Sequence, residues 1–204
     1  MEVDFDGLTR HECHKLLVGM VVPRPIAWVS TTGENATFNV APFSFFGAVS
    51  PKPPIICLSV GSRQGQKKDT LRNIEYTQDF VVNVVDEILA KRMNQTSADY
   101  PSNVDEFKEA NITPLSSDRV VSPRIAEAPI NMECKLLQTI QFGMPSDVST
   151  LIIGEIVKAH IRDSLFQGGG IDVFQLKAIG RLGGDLYCRI TDVFEMKRPM
   201  RSPQ

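Results

Sequence analysis

Residues 23–60 read PRPIAWVSTTGENATFNVAPFSFFGAVSPKPPIICLSV, and the run Lys67-Lys68-Asp69-Thr70 follows closely. Ile26 to Thr31 and Ile55 to Val60 are each preceded by proline and followed by glycine, the punctuation of short strands. The stretch between them reads as a cofactor-sized loop carrying an asparagine, small residues, hydroxyls and aromatics. The basic run behind it can open a helix on an anion. The combination suits a flat aromatic ligand that bears a phosphate.

Within the loop, the Asn39 amide and the Ser44 hydroxyl can bond the polar edge of a heterocycle. Ala41 allows close backbone approach, Pro42 stiffens the turn, and Phe43, Phe45 and Phe46 offer stacking surface. The same residues suit a proline-bounded hairpin with core phenylalanines equally well. In RQGQKKDTLRN, residues 63–73, Lys67, Lys68 and Thr70 precede or open a helix whose free N–H groups and dipole favour an anion. Ser62, Arg63 and Gly65 can add to the same concavity. A solvated basic turn is the plainer reading. The GxxxxGK[ST] pattern of a phosphate-binding Walker loop is absent.

Composition narrows the class. The chain has 204 residues, 42% hydrophobic and 23% charged, enough for one substantial core and read as a single domain over 1–204. A formal charge of −2 gives no basic field for nucleic acid. No run is long and apolar enough for a membrane span, and the acidic start MEVDFDGLTR is unlike a signal segment, so a cytoplasmic location is expected. Cys13, Cys57, Cys134 and Cys188 form no CxxC pair, and Cys57, Cys134 and Cys188, in apolar or alternating segments, read as reduced core or strand thiols, with no metal site expected.

Farther along, a helix begins near Asp69, capped by that residue, with Leu71, Ile74 and Tyr76 candidates for its core face. Phe80 to Val85 reads as a strand, Asp86 to Thr96 and Val104 to Ala110 as amphipathic helices, and Ser116 to Pro129 as a surface loop. Asn131 to Phe142 and Leu151 to Arg162 read as long strands, with Gly154 a bulge or a close-approach point. Gly168 to Gly170 marks a turn, and Leu186 to Phe194 a last strand. The class expected is α+β, mainly β: a barrel of antiparallel strands with peripheral helices.

The ordered set RPIAWVST, Asn39-x-Ala41-Pro42-Phe43-Ser44-x-Phe46, Pro53-Pro54, Lys68-Asp69-Thr70-x-x-Asn73-Ile74 and Phe80-Val81-Val82-Asn83 resembles the flavin reductase-like, FMN-binding split-barrel proteins, flavoredoxin among them. Gly180-Arg181-Leu182-Gly183-Gly184 with Tyr187 resembles their C-terminal signature. The resemblance implies a split β-barrel, a homodimer with FMN near the subunit interface, and electron transfer from NAD(P)H to flavin or onward to an acceptor. By position it implies Ser30, Thr31, Asn39, Ala41, Pro42, Ser44, Phe45 and Phe46 near the ring or ribityl chain. Ser59, Gly61, Arg63, Lys68, Asp69, Thr70 and Asn73 would lie near the phosphate or support its loop.

Hydride transfer to flavin needs little acid–base apparatus, so no catalytic dyad is expected. Arg181 and the backbone after Ala41 are candidates to stabilise the reduced ring. His160, on a strand, is a weaker candidate, since a strand histidine beside Lys158 and Arg162 reads first as surface. Trp28 reads first as core or interface and second as a flavin contact. Two other functions remain open: an FMN electron carrier reduced by a protein partner, and a non-catalytic flavin-binding module.

Overall fold

A computed structural model describes residues 1–63, 65–144 and 146–199; Gln64, inside the basic run, lies outside the described residues. The first helix, α1 (Arg10–Met20), opens on a capping box in which Thr9 and Glu12 satisfy each other's backbone N–H groups. Strands β1 (Ala27–Thr32) and β4 (Pro54–Gly61) fall where the proline and glycine punctuation puts them. The intervening stretch is not a loop: it forms β2 (Phe38–Phe43) and β3 (Phe46–Pro51), joined by Ser44 and Phe45 alone. Then follow α2 (Asp69–Thr77), β5 (Asp79–Asn83), the short helices α3 (Ala90–Gln95) and α4 (Glu106–Glu109), and the long strands β6 (Ile130–Met144) and β7 (Asp147–Ile161).

The seven strands make one antiparallel sheet in the order β2-β1-β5-β6-β7-β4-β3. Its two outermost strands are consecutive in the chain. Only two residues span them, so the sheet must curl until its edges meet, while the Ser59 N–H, donating to the Phe45 carbonyl at 2.8 Å, extends the β3–β4 ladder past the Phe46–Leu58 pair. The result is a split β-barrel, mainly β, with strands over 41% of the chain and peripheral helices over 19%.

Two cores share β1, which is buried along its whole length. Ala27 and Val29 point into the barrel with Leu58, Phe80, Val82 and Ile152, and Leu71 and Ile74 of α2 close that core. Trp28, on the opposite face, packs with Leu89, Met93 and Phe107 of the α3–α4 layer, and its indole N–H donates to Thr96 Oγ1 at 2.9 Å. Trp28 is therefore a core residue. Gly154 is a close-approach point, because a Cβ there would lie 2.6 Å from Cζ of Phe80. The register irregularities flank it, with Val157 the extra residue in β7 and Leu137 the extra residue in β6.

Several sequence expectations are corrected. Lys68, not Asp69, is the N-cap of α2, and Asp69 instead pairs with Arg72 one turn on. Tyr76 is exposed. Residues 86–89 do not join α3, because Asp86 bridges to Ala178 and the Glu87 N–H donates to the Lys177 carbonyl. The last strand is only Tyr187–Arg189, since its partner Ile179–Arg181 is three residues long. The 116–129 segment is not a plain surface loop: Ser122 is fully buried with its N–H and hydroxyl on Asp79. No helix among the described residues is long and apolar enough to cross a membrane.

Candidate functional site

The start of α2 is the centre of the site. Lys68 enters the helix in extended conformation (φ −65°, ψ 155°), and no side chain caps the first turn. Its leading N–H groups are thus left for a ligand. They border a cavity of about 380 Å³ that Asn39, Ala41, Pro42, Arg63, Lys68, Asp69 and Thr70 help to line, all seven named from sequence. The cations there are mostly spoken for: Arg63 pairs with Asp99 at 3.3 Å, Lys67 with Glu75 at 2.7 Å, and Arg72 with Asp69. Lys68 forms no ion pair among the described residues.

A second cavity of about 660 Å³ shares Pro42, Lys68 and Ser97 with the first, so the two adjoin across those residues. Ser44 and Arg181 line it, together with His14, Met93 and Tyr187. Behind Ser44 lies Arg24, 5% exposed. Its guanidinium donates to the carbonyls of Val18, Val21 and Leu182 and, through Nε, to Ser44 Oγ at 3.3 Å. Arg24 meets no carboxylate among the described residues. Burial first, then the neighbouring Arg181 charge, pulls its pKa below the ordinary arginine value. Phe45 lines neither cavity but lies close by, its ring 6.2 Å from that of His14 and 5.9 Å from the Arg24 guanidinium.

A hydrogen-bond chain fixes the floor. Glu106 Oε2 accepts the Val40 N–H at 2.7 Å and Nδ2 of Asn39. Asn39 Oδ1 in turn accepts from the Thr70 hydroxyl at 2.9 Å and the Thr31 hydroxyl at 3.2 Å, and Asn73 Nδ2 donates to Thr31 Oγ1 at 3.0 Å. Burial raises Glu106 to about 7, only partly offset by the Val40 and Asn39 donors, with the Asp105 charge adding to the rise.

Not every expected residue reaches a cavity. Ser30 is fully buried, with its hydroxyl donating to the Pro123 carbonyl and accepting from Asn83. Thr31 acts through Asn39, and Asn73 lines a smaller cavity of about 250 Å³ that shares Glu106 with the first. Phe46 packs against the barrel core. Ser59 and Gly61 belong to the β4 ladder opposite Leu151 and Ser149. His160 lines none of these cavities; rather than facing solvent it is half-buried and bonded through Nε2 to buried Glu133.

Glu106, Arg24 and the 96–102 segment were not singled out from sequence. Asp105-Glu106 at the head of a short amphipathic helix looks like ordinary helix-start chemistry, and Arg24 was part of a motif without an assigned role. The available signal was a guanidinium in the otherwise apolar stretch VVPRPIAWV; Glu106, within PSNVDEFKEAN, carries none.

A model of the flavin reductase like domain matches residues 18–174. An uncharacterized protein of Halalkalibacterium halodurans is 38% identical over 202 residues, 98% of this chain and 97% of that one. Among solved structures, nitrilotriacetate monooxygenase component B from Bacillus cereus superposes with a TM-score of 0.93 at 35% identity, covering 96% of this chain and 98% of that one. The 2-nitrobenzoate 2-nitroreductase of Pseudomonas fluorescens gives 0.90 at 34% identity, covering 100% and 99%. With that match across most of its length and its split barrel, this chain belongs to the flavin reductase like family.

Proposed function

We propose that the protein is an FMN-dependent oxidoreductase, acting as one unit in the cytoplasm, that passes electrons from NAD(P)H through flavin to an acceptor. The observation that carries this reading is the uncapped start of α2 beside Lys68, which has no ion-pair partner among the described residues, on a cavity that adjoins the one lined by Ser44. The residues fit a phosphorylated flavin. Helix N–H groups and Lys68 suit the phosphate, the volumes lie in the range of about 300–1,000 Å³ usual for small-molecule sites, and Ser44 and Arg24 suit an electron-rich ring.

When bound, FMN supplies the hydride and one-electron chemistry. The N–H groups at the start of α2 and the Lys68 ammonium would hold its phosphate. Thr70 would contribute its backbone rather than its hydroxyl, whose proton is engaged on Asn39. Ser44 Oγ accepts from Arg24, which leaves its own O–H to donate into the cavity. The buried Arg24 charge, with Arg181 beside it, would favour the negative charge that reduction adds, since fixed charge in a low-dielectric site acts strongly. The 660 Å³ side, with Ile26, Met93 and Tyr187 in its wall, would admit the nicotinamide.

The likeness to a nitroreductase at 34% identity favours a second reading of the acceptor: a small aromatic molecule rather than free flavin or a partner oxygenase. A homodimer fits the exposed apolar residues Leu17, Met20, Val21 and Val22 at the end of α1, and solution mass tests it. Anaerobic addition of NADH, then NADPH, to the FMN-loaded protein tests the reaction. Bleaching of the flavin bands by either nucleotide is expected; bands that persist with both would overturn the nicotinamide step.

A further inference from the structure

The anion-binding end of the cavity has an acid built into its wall. Glu106 is 7% exposed, lines both the 380 Å³ and the 250 Å³ cavities, and has no cationic partner among the described residues. Both of its protein hydrogen bonds, from Asn39 Nδ2 and Val40 N–H, fall on Oε2. Oε1 is therefore the oxygen that can take a proton without breaking the Asn39–Thr70 chain. A carboxylate in that wall opposes a phosphate, whereas the neutral acid does not, and its Oε1–H becomes a donor.

Resting on the proposed phosphate position at α2, we infer that Glu106 takes up one proton from solvent when the phosphate group binds, and so sets the selectivity of this end of the site. The charged and titratable groups around Glu106 are Asp105 on its own helix, paired with Lys108, and those lining the two cavities with it: Lys68, Asp69, Arg72 and Tyr76 of α2; Arg63 and Lys67 before it; Asp99 and Tyr100; and Glu34. None of these side-chain types ordinarily titrates between pH 7 and 8.5. Glu106 itself is raised to about 7 by burial, and a nearby dianion pushes it higher. A phosphate monoester is a dianion across that interval, its second pKa being about 6. The proton dependence therefore reports Glu106.

The test measures FMN and riboflavin affinity from pH 7 to 8.5, with calorimetry in two buffers of different ionisation enthalpy. Wild-type protein is expected to lose FMN affinity with rising pH, approaching about tenfold per pH unit, with uptake approaching one proton, while riboflavin affinity stays flat. Glu106→Gln keeps an oxygen for the two donors and is expected to flatten the FMN curve and bind FMN more tightly at pH 8.5. FMN binding without proton uptake, or an unchanged slope in Glu106→Gln, overturns the inference alone. Failure to bind FMN at any pH overturns the reading beneath it as well. If Glu106→Gln does not fold, the wild-type contrast between FMN and riboflavin decides.

Discussion

Glu106 and Asn39 form a buried pair in which the carboxylate of α4 accepts from the amide of β2, so the amide oxygen is turned to the Thr70 hydroxyl of α2. Three elements far apart in sequence meet in two hydrogen bonds, and the raised acid at their centre has a consequence for stability. A carboxyl whose folded pKa lies above its ordinary value favours folding at low pH. That contribution is complete below about 4.5 and is lost as pH rises through about 7. At about 1.4 kcal/mol per pH unit the loss is about 3 kcal/mol. Urea unfolding should show Glu106→Gln more stable than wild type at pH 8 and equal to it near pH 4.5; equal stability at both would refute the assignment.

Lys68 should act on the phosphate and not on the ring. Lys68→Ala is expected to weaken FMN by about tenfold or more, the worth of one charge-assisted hydrogen bond, and to leave riboflavin unchanged. Fluorescence titration of both ligands checks this, and equal weakening of both would place Lys68 elsewhere in the mechanism.

The Ser44–Arg24 contact should tune reduction. Ser44→Ala removes a donor while sparing the carbonyl contacts of Arg24, and is expected to reduce the preference for reduced over oxidised FMN by about tenfold, a midpoint about 30 mV lower for a two-electron couple. A purely structural role for Ser44 would leave the potential where it was.

Gly154→Ala should strain the barrel. The added methyl meets the Phe80 ring at 2.6 Å, and overpacking of this kind costs about 1–3 kcal/mol. Pairing it with Phe80→Leu should recover part of the loss in chemical denaturation, and strict additivity of the two changes would argue against the contact.

The punctuation of β1 and β4, the apolar runs of β6 and β7 and the opening of α2 were legible because each rests on local chemistry: proline, β-branched residues, a basic helix start. β2 and β3 were hidden because Pro42, Ser44 and three phenylalanines read equally as loop or hairpin, whereas the two strands pair with β1 and β4 rather than with each other, a long-range outcome that local pattern does not carry. The same limit applies to the site. Asn39, Lys68 and Thr70 announce themselves by type and spacing. Glu106 becomes visible only when α4 lies under β2, and Ser30 drops out because Asn83 and Pro123, distant in sequence, consume its hydroxyl. Long-range pairing supplied what local pattern could not.

The most direct test of the central claim is a crystal structure of the protein with FMN. The account predicts the phosphate within hydrogen-bonding distance of the N–H groups at the start of α2 and of Lys68 Nζ, with the ring running toward Ser44. A phosphate bound away from α2, or a crystal grown in saturating FMN that holds no flavin there, would contradict it.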